Sequence, residues 1–159
     1  MPLDAADVMT KDVIAAAPDD TVARIACRLA KHHISAVPVL DAAGTLLGML
    51  SEADLLRPFE AETENRRVWW LRMLAEGSDL SPQFLAYVRA DQRHARDLMS
   101  TSVISVTETT PAREVAALLI RHRIKSMPVL CDGKLVGIVA RADLVRAISR
   151  QSGELDEPL

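Results

Sequence analysis

One pattern occurs twice along this chain, about 90 residues apart, and any fold proposed for it must be built from two copies of the same unit. Met9-Thr10-Lys11-Asp12-Val13-Ile14 falls on Met99-Ser100-Thr101-Ser102-Val103-Ile104. Ile34-Ser35-Ala36-Val37-Pro38-Val39-Leu40 falls on Ile124-Lys125-Ser126-Met127-Pro128-Val129-Leu130, and Gly48-Met49-Leu50-Ser51-Glu52-Ala53-Asp54-Leu55 on Gly137-Ile138-Val139-Ala140-Arg141-Ala142-Asp143-Leu144. The copies run from Asp7 to Arg57 and from Asp97 to Arg146. Their register slips by one only where Ala42-Ala43-Gly44 faces Asp132-Gly133.

Each copy carries the same order of local signals. Val13 to Ala16 and Val103 to Val106 are apolar runs too short for a helix, and predict a first strand. A helix follows, started by Asp20 in the first copy and by Thr110 with Pro111 in the second, residues suited to an N-cap and a first helical position. Val22, Ile25, Ala26 and Leu29, and then Val115, Leu118 and Leu119, recur at helical spacing and demand one buried face. Ala36 to Leu40 and Leu46 to Leu50 form a hairpin across Asp41-Ala42-Ala43-Gly44. Met127 to Leu130 and Leu135 to Val139 form another across Asp132-Gly133, the strongest short turn signal in the chain. A second helix starts near Ser51 and Asp54, and near Asp143.

The unit is therefore β-α-β-β-α, and the fold class α/β in the broad α+β sense. A lone copy of about fifty residues is marginal in stability, which two copies packed with pseudo-twofold symmetry would remedy. With aromatics at 3%, the core must come from Ala, Val, Leu and Ile in closely packed layers.

These residues resemble the CBS domain, the repeat named after cystathionine β-synthase, and the tandem resembles a Bateman module. The resemblance covers both copies and rests on two recurring motifs, the xxxPV strand and the Gly-h-h-[Ser/Thr]-x-x-Asp turn. It implies a regulatory sensor in signal transduction that binds an adenosine compound such as AMP, ADP, ATP, NAD or S-adenosylmethionine, and that often forms disk-like homodimers. It divides the chain into a first repeat over 1–58, a helical insert over 59–94, a second repeat over 95–150 and a flexible tail over 151–159.

The turn motif has chemistry of its own. A carboxylate at a strand-to-helix junction can accept both hydroxyls of a ribose in charge-assisted hydrogen bonds, which Asp54 and Asp143 are placed to do. A hydroxyl three residues earlier, at a helix start, suits a phosphate oxygen, and Ser51 supplies one. Gly48 and Gly137 let a ligand approach the backbone, and the small Ala36 and Ser126 leave room for a flat base.

By resemblance each pocket is composite. One would join Ser100, Ile104, Ile124, Lys125, Ser126 and Pro128 to Ser51 and Asp54. The other would join Thr10, Ile14, Ile34, Ser35, Ala36 and Pro38 to Ala140, Arg141 and Asp143. Ala140 departs from the pattern, since it lacks the hydroxyl and leaves Arg141 as the compensating phosphate contact, so the two sites are expected to be unequal. The bland alternatives are that each Asp is only a helix cap and that Lys125 and Arg141 are solvated charges. His32 and His122 recur near helix ends, where a cation complements the macrodipole. Met9 and Met99 are expected in the core, and Cys27 and Cys131 as buried or incidental thiols of a reducing compartment.

The insert predicts a helix over Glu60 to Glu76, stopped by Gly77, and a second begun by Ser81-Pro82. Adjacent Trp69 and Trp70 cannot both enter one narrow seam, so one is a candidate for facing a partner subunit or the cleft, the alternative being that both only pack this arm onto the module. A net charge of −3 without a long basic run disfavours nucleic acid, and no signal sequence or membrane span is apparent, which points to the cytoplasm. No nucleophile and base pair, metal cluster or phosphate loop marks an enzyme, so no catalytic cofactor or metal is expected. The expected partners are an adenine nucleotide, a second copy of the chain and a separate effector protein. The rival reading is a CBS pair that keeps the fold as a ligand-free interaction scaffold.

Overall fold

The computed structural model describes residues 2–56 and 92–152. The elements are α1 (Ala5–Val8), α2 (Val22–His32), β1 (Ala36–Leu40), β2 (Leu46–Ser51), α3 (Glu52–Leu56), α4 (Ala95–Leu98), β3 (Val106–Thr107), α5 (Ala112–Arg121), β4 (Ser126–Cys131), β5 (Lys134–Ala140) and α6 (Arg141–Ser152). The two insert helices and Trp69-Trp70 lie outside the described residues, as does the tail beyond residue 152. Gln151 and Ser152, expected in the tail, are the last residues of α6.

Both hairpins form where the alternation of residues places them. β4 and β5 pair antiparallel, with Met127 opposite Val139 and Pro128 opposite Ile138, and an irregularity follows Val129. Asp132 (φ 52°) and Gly133 (φ 77°) both adopt left-handed backbone, as a two-residue hairpin turn requires. In the first hairpin Gly44 alone turns left-handed, at φ 84°.

The first strands are shorter than predicted, and the prolines explain why. In the second repeat, Val106 and Thr107 pair in parallel with Val129 and Leu130. In the first, a single bridge joins Ala16 to Val39. There the Ala16 N–H donates to the Pro38 carbonyl at 2.9 Å and the Leu40 N–H to the Ala16 carbonyl at 2.9 Å. The next rung would need an N–H from residue 38, and proline has none, so Val13 to Ile14 cannot join the ladder. Pro128 stops the second copy in the same way.

The helix starts also need correction. Thr21, not Asp20, caps α2 by accepting the Arg24 N–H. Asp20 turns back instead, accepting the Ala17 N–H at 2.8 Å and pairing with Arg28 and Arg24. In the second copy Pro111 occupies the N-cap and α5 begins at Ala112, while the Thr110 hydroxyl accepts the Thr107 N–H at 3.1 Å. α2 and α5 are each followed by a left-handed residue at matching positions of the repeat, His33 directly after α2 and Arg123 one residue beyond the right-handed cap His122 of α5, each at φ 53°.

The chain groups into two compact units that do not follow the repeat boundaries. One holds residues 2–14, 42–46 and 102–152, so its body is the second repeat together with the leading segment of the first. The other holds 15–41, 47–56 and 92–101, the body of the first repeat with the leading segment of the second. In the first of these units a core of Ala5, Val106, Val115, Leu119, Met127, Val129 and Val139 is buried, with Met9, Ile104, Ile124 and Leu144 packed against it. In the other, Ala16, Val22, Ile25, Leu29, Val37, Val39, Leu50 and Ala95 are buried.

The leading segments dock by hydrogen bonds as well as by burial. The opening N–H groups of a helix have no partner within it. Ala5 and Ala6 at the start of α1 donate theirs to the carbonyls of Thr110 and Glu108 at 2.8 and 3.0 Å, just ahead of α5. Ala95 and Arg96 at the start of α4 donate to Asp20 and Pro18 at 2.9 and 3.1 Å, just ahead of α2. Each leading helix thus closes on the loop before a long helix, at equivalent places in the two units.

Met9 and Met99 are half-buried rather than fully inside. Cys27 and Cys131 are free and exposed, so of the two alternatives expected for them the buried one falls: Cys27 lies off the buried face of α2 and Cys131 at the hairpin end. Among the described residues no helix is long and apolar enough to cross a membrane.

Candidate functional site

The aspartate turn is built the same way in each unit, at the point where a hairpin's second strand passes into a helix. Asp54 and Asp143 are both 6% exposed, the most buried charged side chains described apart from Asp20. A buried carboxylate must be well supplied with donors, and these are. Asp54 Oδ2 accepts the Ser51 N–H at 2.9 Å and the Ser51 hydroxyl at 3.1 Å, and the Asp54 N–H donates back to Ser51 Oγ at 3.3 Å. This reciprocal pair is a capping box.

Asp143 works without the hydroxyl. Its Oδ2 accepts the Ala140 N–H at 2.7 Å, while Oδ1 pairs with Arg146 and lies 3.5 Å from the Thr10 hydroxyl. Both aspartates therefore do cap their turns, as the bland alternative expects. A carboxylate has roughly four acceptor positions, so capping does not exclude gripping a sugar hydroxyl. The proton of Ser51 is committed to Asp54, so a phosphate oxygen at that hydroxyl has to compete for it.

The segment preceding each hairpin lies against its own turn. The Glu52 N–H donates to the Ser35 carbonyl at 2.9 Å and the Arg141 N–H to the Lys125 carbonyl at 3.0 Å. Arg141 also places its Nε on the Ile124 carbonyl at 3.1 Å. Ile34, Ser35, Ala36 and Pro38 thus belong to the unit of Ser51 and Asp54. Ile104, Ile124, Lys125, Ser126 and Pro128 belong to the unit of Ala140, Arg141 and Asp143.

The leading segments close the opposite way, each onto the other repeat's turn. Thr10 exchanges backbone hydrogen bonds with Ile138 at 2.8 and 3.0 Å, and Ser100 with Met49 at 2.8 and 2.9 Å. Thr10 and Ile14 therefore stand in the unit of Asp143, and Ser100 in that of Asp54. The space over the two motif glycines, expected for a ligand, is taken by these segments. A Cβ on Gly48 would stand 2.8 Å from Met99 Sδ and 2.7 Å from the Ser100 carbonyl, and one on Gly137 would meet Met9 and the Thr10 carbonyl.

Asp20 is a third buried carboxylate that the repeat pattern does not single out, because Thr110 stands at the equivalent place. It is 5% exposed. Burial pushes its carboxyl up, but the Ala17 N–H and the guanidinium of Arg28, with Arg24, outweigh that and hold it below its ordinary 3.8. Arg28 also donates to the Ala15 carbonyl at 3.1 Å, so the cluster ties α2 to the first-strand segment. A signal existed in the spacing of Asp20, Arg24 and Arg28, one face of a helix read from its start. Among the described residues no group of His, Cys, Asp and Glu is arranged to hold a metal ion.

The duplicated strand and turn find their match among known proteins. The CBS domain family description fits residues 5–60 and again 95–150, and this chain belongs to that family as a tandem CBS pair. It is 28% identical over 148 residues to the CBS domain-containing protein YhcV of Bacillus subtilis, covering 93% of this chain and 86% of that one. Among solved structures it is similar to CBSX2 in complex with AMP, with 26% identity, a TM-score of 0.70, and 94% and 98% of the two chains covered. The CBS domain pair of MJ0100, solved with 5'-methylthioadenosine and S-adenosylmethionine, shares the fold at 22% identity and a TM-score of 0.68, over 95% of this chain and 99% of that one.

Proposed function

We propose that this chain is a regulatory sensor that binds an adenosine compound at its two aspartate turns and acts, through a ligand-dependent change of conformation, on a separate effector protein. The observation that carries the reading is the duplication of a buried carboxylate at a strand-to-helix junction, Asp54 in one unit and Asp143 in the other. Charge-assisted hydrogen bonds from two vicinal hydroxyls suit such a group, and a ribose offers them. The AMP held by CBSX2, a relative at 26% identity, supports the adenosine class.

In this reading Ser100, Ser51 and Asp54 serve one site, and Thr10, Arg141 and Asp143 the other, with the xxxPV segments offering a wall for the base. The ligand is regulatory and no catalytic step or metal is assigned. A cytoplasmic homodimer is the form in which the module would work. A ligand can shift only an equilibrium between states that it binds differently, so the signal lies in a change between two arrangements of the protein.

A thermal-shift screen with AMP, ATP, NAD and S-adenosylmethionine tests the reading. A ligand confined to the folded state stabilises it by about 2.7 kcal/mol at a hundred times its Kd. At least one adenosine compound is expected to raise the melting temperature; no response from all four favours the ligand-free scaffold. Ile120, Val145 and Ile148, exposed at 74%, 65% and 68%, are the observation that keeps that second reading in view.

A further inference from the structure

The loop that receives each leading helix is braced by different chemistry in the two units. Ahead of α2, the carbonyls of Pro18 and Asp20 accept the first N–H groups of α4. Asp20 Oδ2 closes this loop on the Ala17 N–H at 2.8 Å and pairs with Arg28 of α2, whose guanidinium also holds the Ala15 carbonyl at 3.1 Å. One fork therefore ties both ends of the loop to the helix. At the equivalent places of the other unit stand Ser105, Thr107, Thr110 and Leu118. There the Thr110 hydroxyl closes the loop on the Thr107 N–H at 3.1 Å, and the tie to the helix is apolar, through Leu118 packed against the core. From α4 the chain runs straight to the strand before the aspartate turn. Met99 covers Gly48, and Ser100 exchanges backbone hydrogen bonds with Met49, just ahead of Ser51.

We propose that Asp20 and Arg28 form a positioning device for the segment from His94 to Ser100, setting how often that segment lifts off Gly48 and Met49. The control is confined to this unit, because Thr10 follows a helix seated on a loop that a hydroxyl closes instead. A helix of four residues cannot hold itself, so its place depends on the partners of its opening N–H groups. Moving the loop moves those partners. Asp20 is 5% exposed, and removing either member of the pair leaves the other short of a partner where water is scarce, so the loop has to open. Arg24 also reaches Asp20, at 3.5 Å from a 71% exposed position, and is the weaker partner. Loss of one neutral hydroxyl bond, as at Thr110, disturbs its loop less. No ligand enters this control, which is separate from the adenosine reading.

Native-state hydrogen exchange of the full chain, followed by NMR, tests this, because each leading segment carries its own pair of probes. These are the Met49 and Ser100 amides in one unit and the Ile138 and Thr10 amides in the other. Asp20→Thr with Arg28→Leu installs the residues that the second repeat uses. It is expected to speed exchange at Met49 and Ser100 about tenfold relative to Ile138 and Thr10. Arg28→Lys keeps a cation for Asp20 but gives up the fork that reaches Ala15 as well, and is expected to shift the same ratio in the same direction by less. A merely structural role would lower global stability and speed all four amides alike. An unchanged ratio between the two pairs therefore overturns the proposal, as does a shift in favour of Ile138 and Thr10. Should the double variant show no cooperative melting, the ratio in Arg28→Lys decides alone.

Discussion

The turn at Asp54 and the turn at Asp143 share a backbone plan and solve its chemistry differently. In one, Ser51 closes a box with Asp54 through hydroxyl and N–H. In the other, Ala140 offers only its N–H, and Arg146 and Thr10 come to the second carboxylate oxygen. The strand-to-helix plan tolerates either solution, because what it requires is a buried acceptor for the residue 51 or 140 amide. Duplication has thus preserved the cap while leaving the residues around it free to diverge in charge.

Substitutions at matched positions measure how far the two repeats have separated. The greatest loss of stability is expected at Asp20, a buried carboxylate in the first repeat where Thr110 stands in the second. Asp20→Ala strips Arg28 of its buried partner and the Ala17 N–H of its acceptor, and is expected to cost about 3 kcal/mol in denaturant unfolding. Arg24 is 71% exposed and contributes little. Because the folded carboxyl sits below its ordinary value, its contribution is full above about pH 4 and is lost as the pH falls through the folded value. An acid unfolding curve in which the wild type and Asp20→Asn converge at low pH is the expected outcome.

Next come the glycines under the leading segments. Gly48→Ala and Gly137→Ala each force a Cβ into a methionine and a backbone carbonyl, and about 2 kcal/mol is expected from each, measured by chemical denaturation. Equal costs would confirm that the two leading segments close with equal intimacy. Smaller again, Asp54→Ala and Asp143→Ala remove a cap and are expected to cost about 1–2 kcal/mol. The smallest effect belongs to Ala140→Ser, which restores the hydroxyl that Ser51 supplies. It is expected to raise stability by up to about 1 kcal/mol and to bring the two sites closer in affinity.

Much of this arrangement was legible in the sequence, and the failures have physical causes. The hairpins followed from alternating apolar residues and from Gly44 and Asp132-Gly133, whose conformations are set locally. The helices followed from Val22, Ile25 and Leu29 and from Val115 and Leu119. The first strands were overextended because apolar runs announce burial, whereas ladder length depends on which N–H groups a neighbouring strand presents, and Pro38 and Pro128 withhold one. Asp20 was misassigned because a side chain that can cap is silent about whether Thr21, one residue on, caps better. The short helices α1 and α4 escaped notice, although Asp4 with Asp7 and His94 with Asp97 carry the box spacing of a helix start. Segments of four residues make too few contacts of their own to leave a periodic signal; their stability comes from the loops onto which they dock.

Within the candidate site, the pairing of Ser100 with Met49 and of Thr10 with Ile138 depends on contacts between residues far apart in the chain, which spacing alone cannot express. The motif aspartates were found because duplication marked them. Their capping bonds and their burial emerge only once the hairpin and helix are in place.

A crystal structure of the protein soaked with AMP would show whether the two aspartates hold a ribose. The ribose hydroxyls should lie about 2.6–3.2 Å from a carboxylate oxygen of Asp54 or Asp143, with the cap to Ser51 or Ala140 intact. A nucleotide bound elsewhere, with both carboxylates engaged only by their own turns, would contradict it.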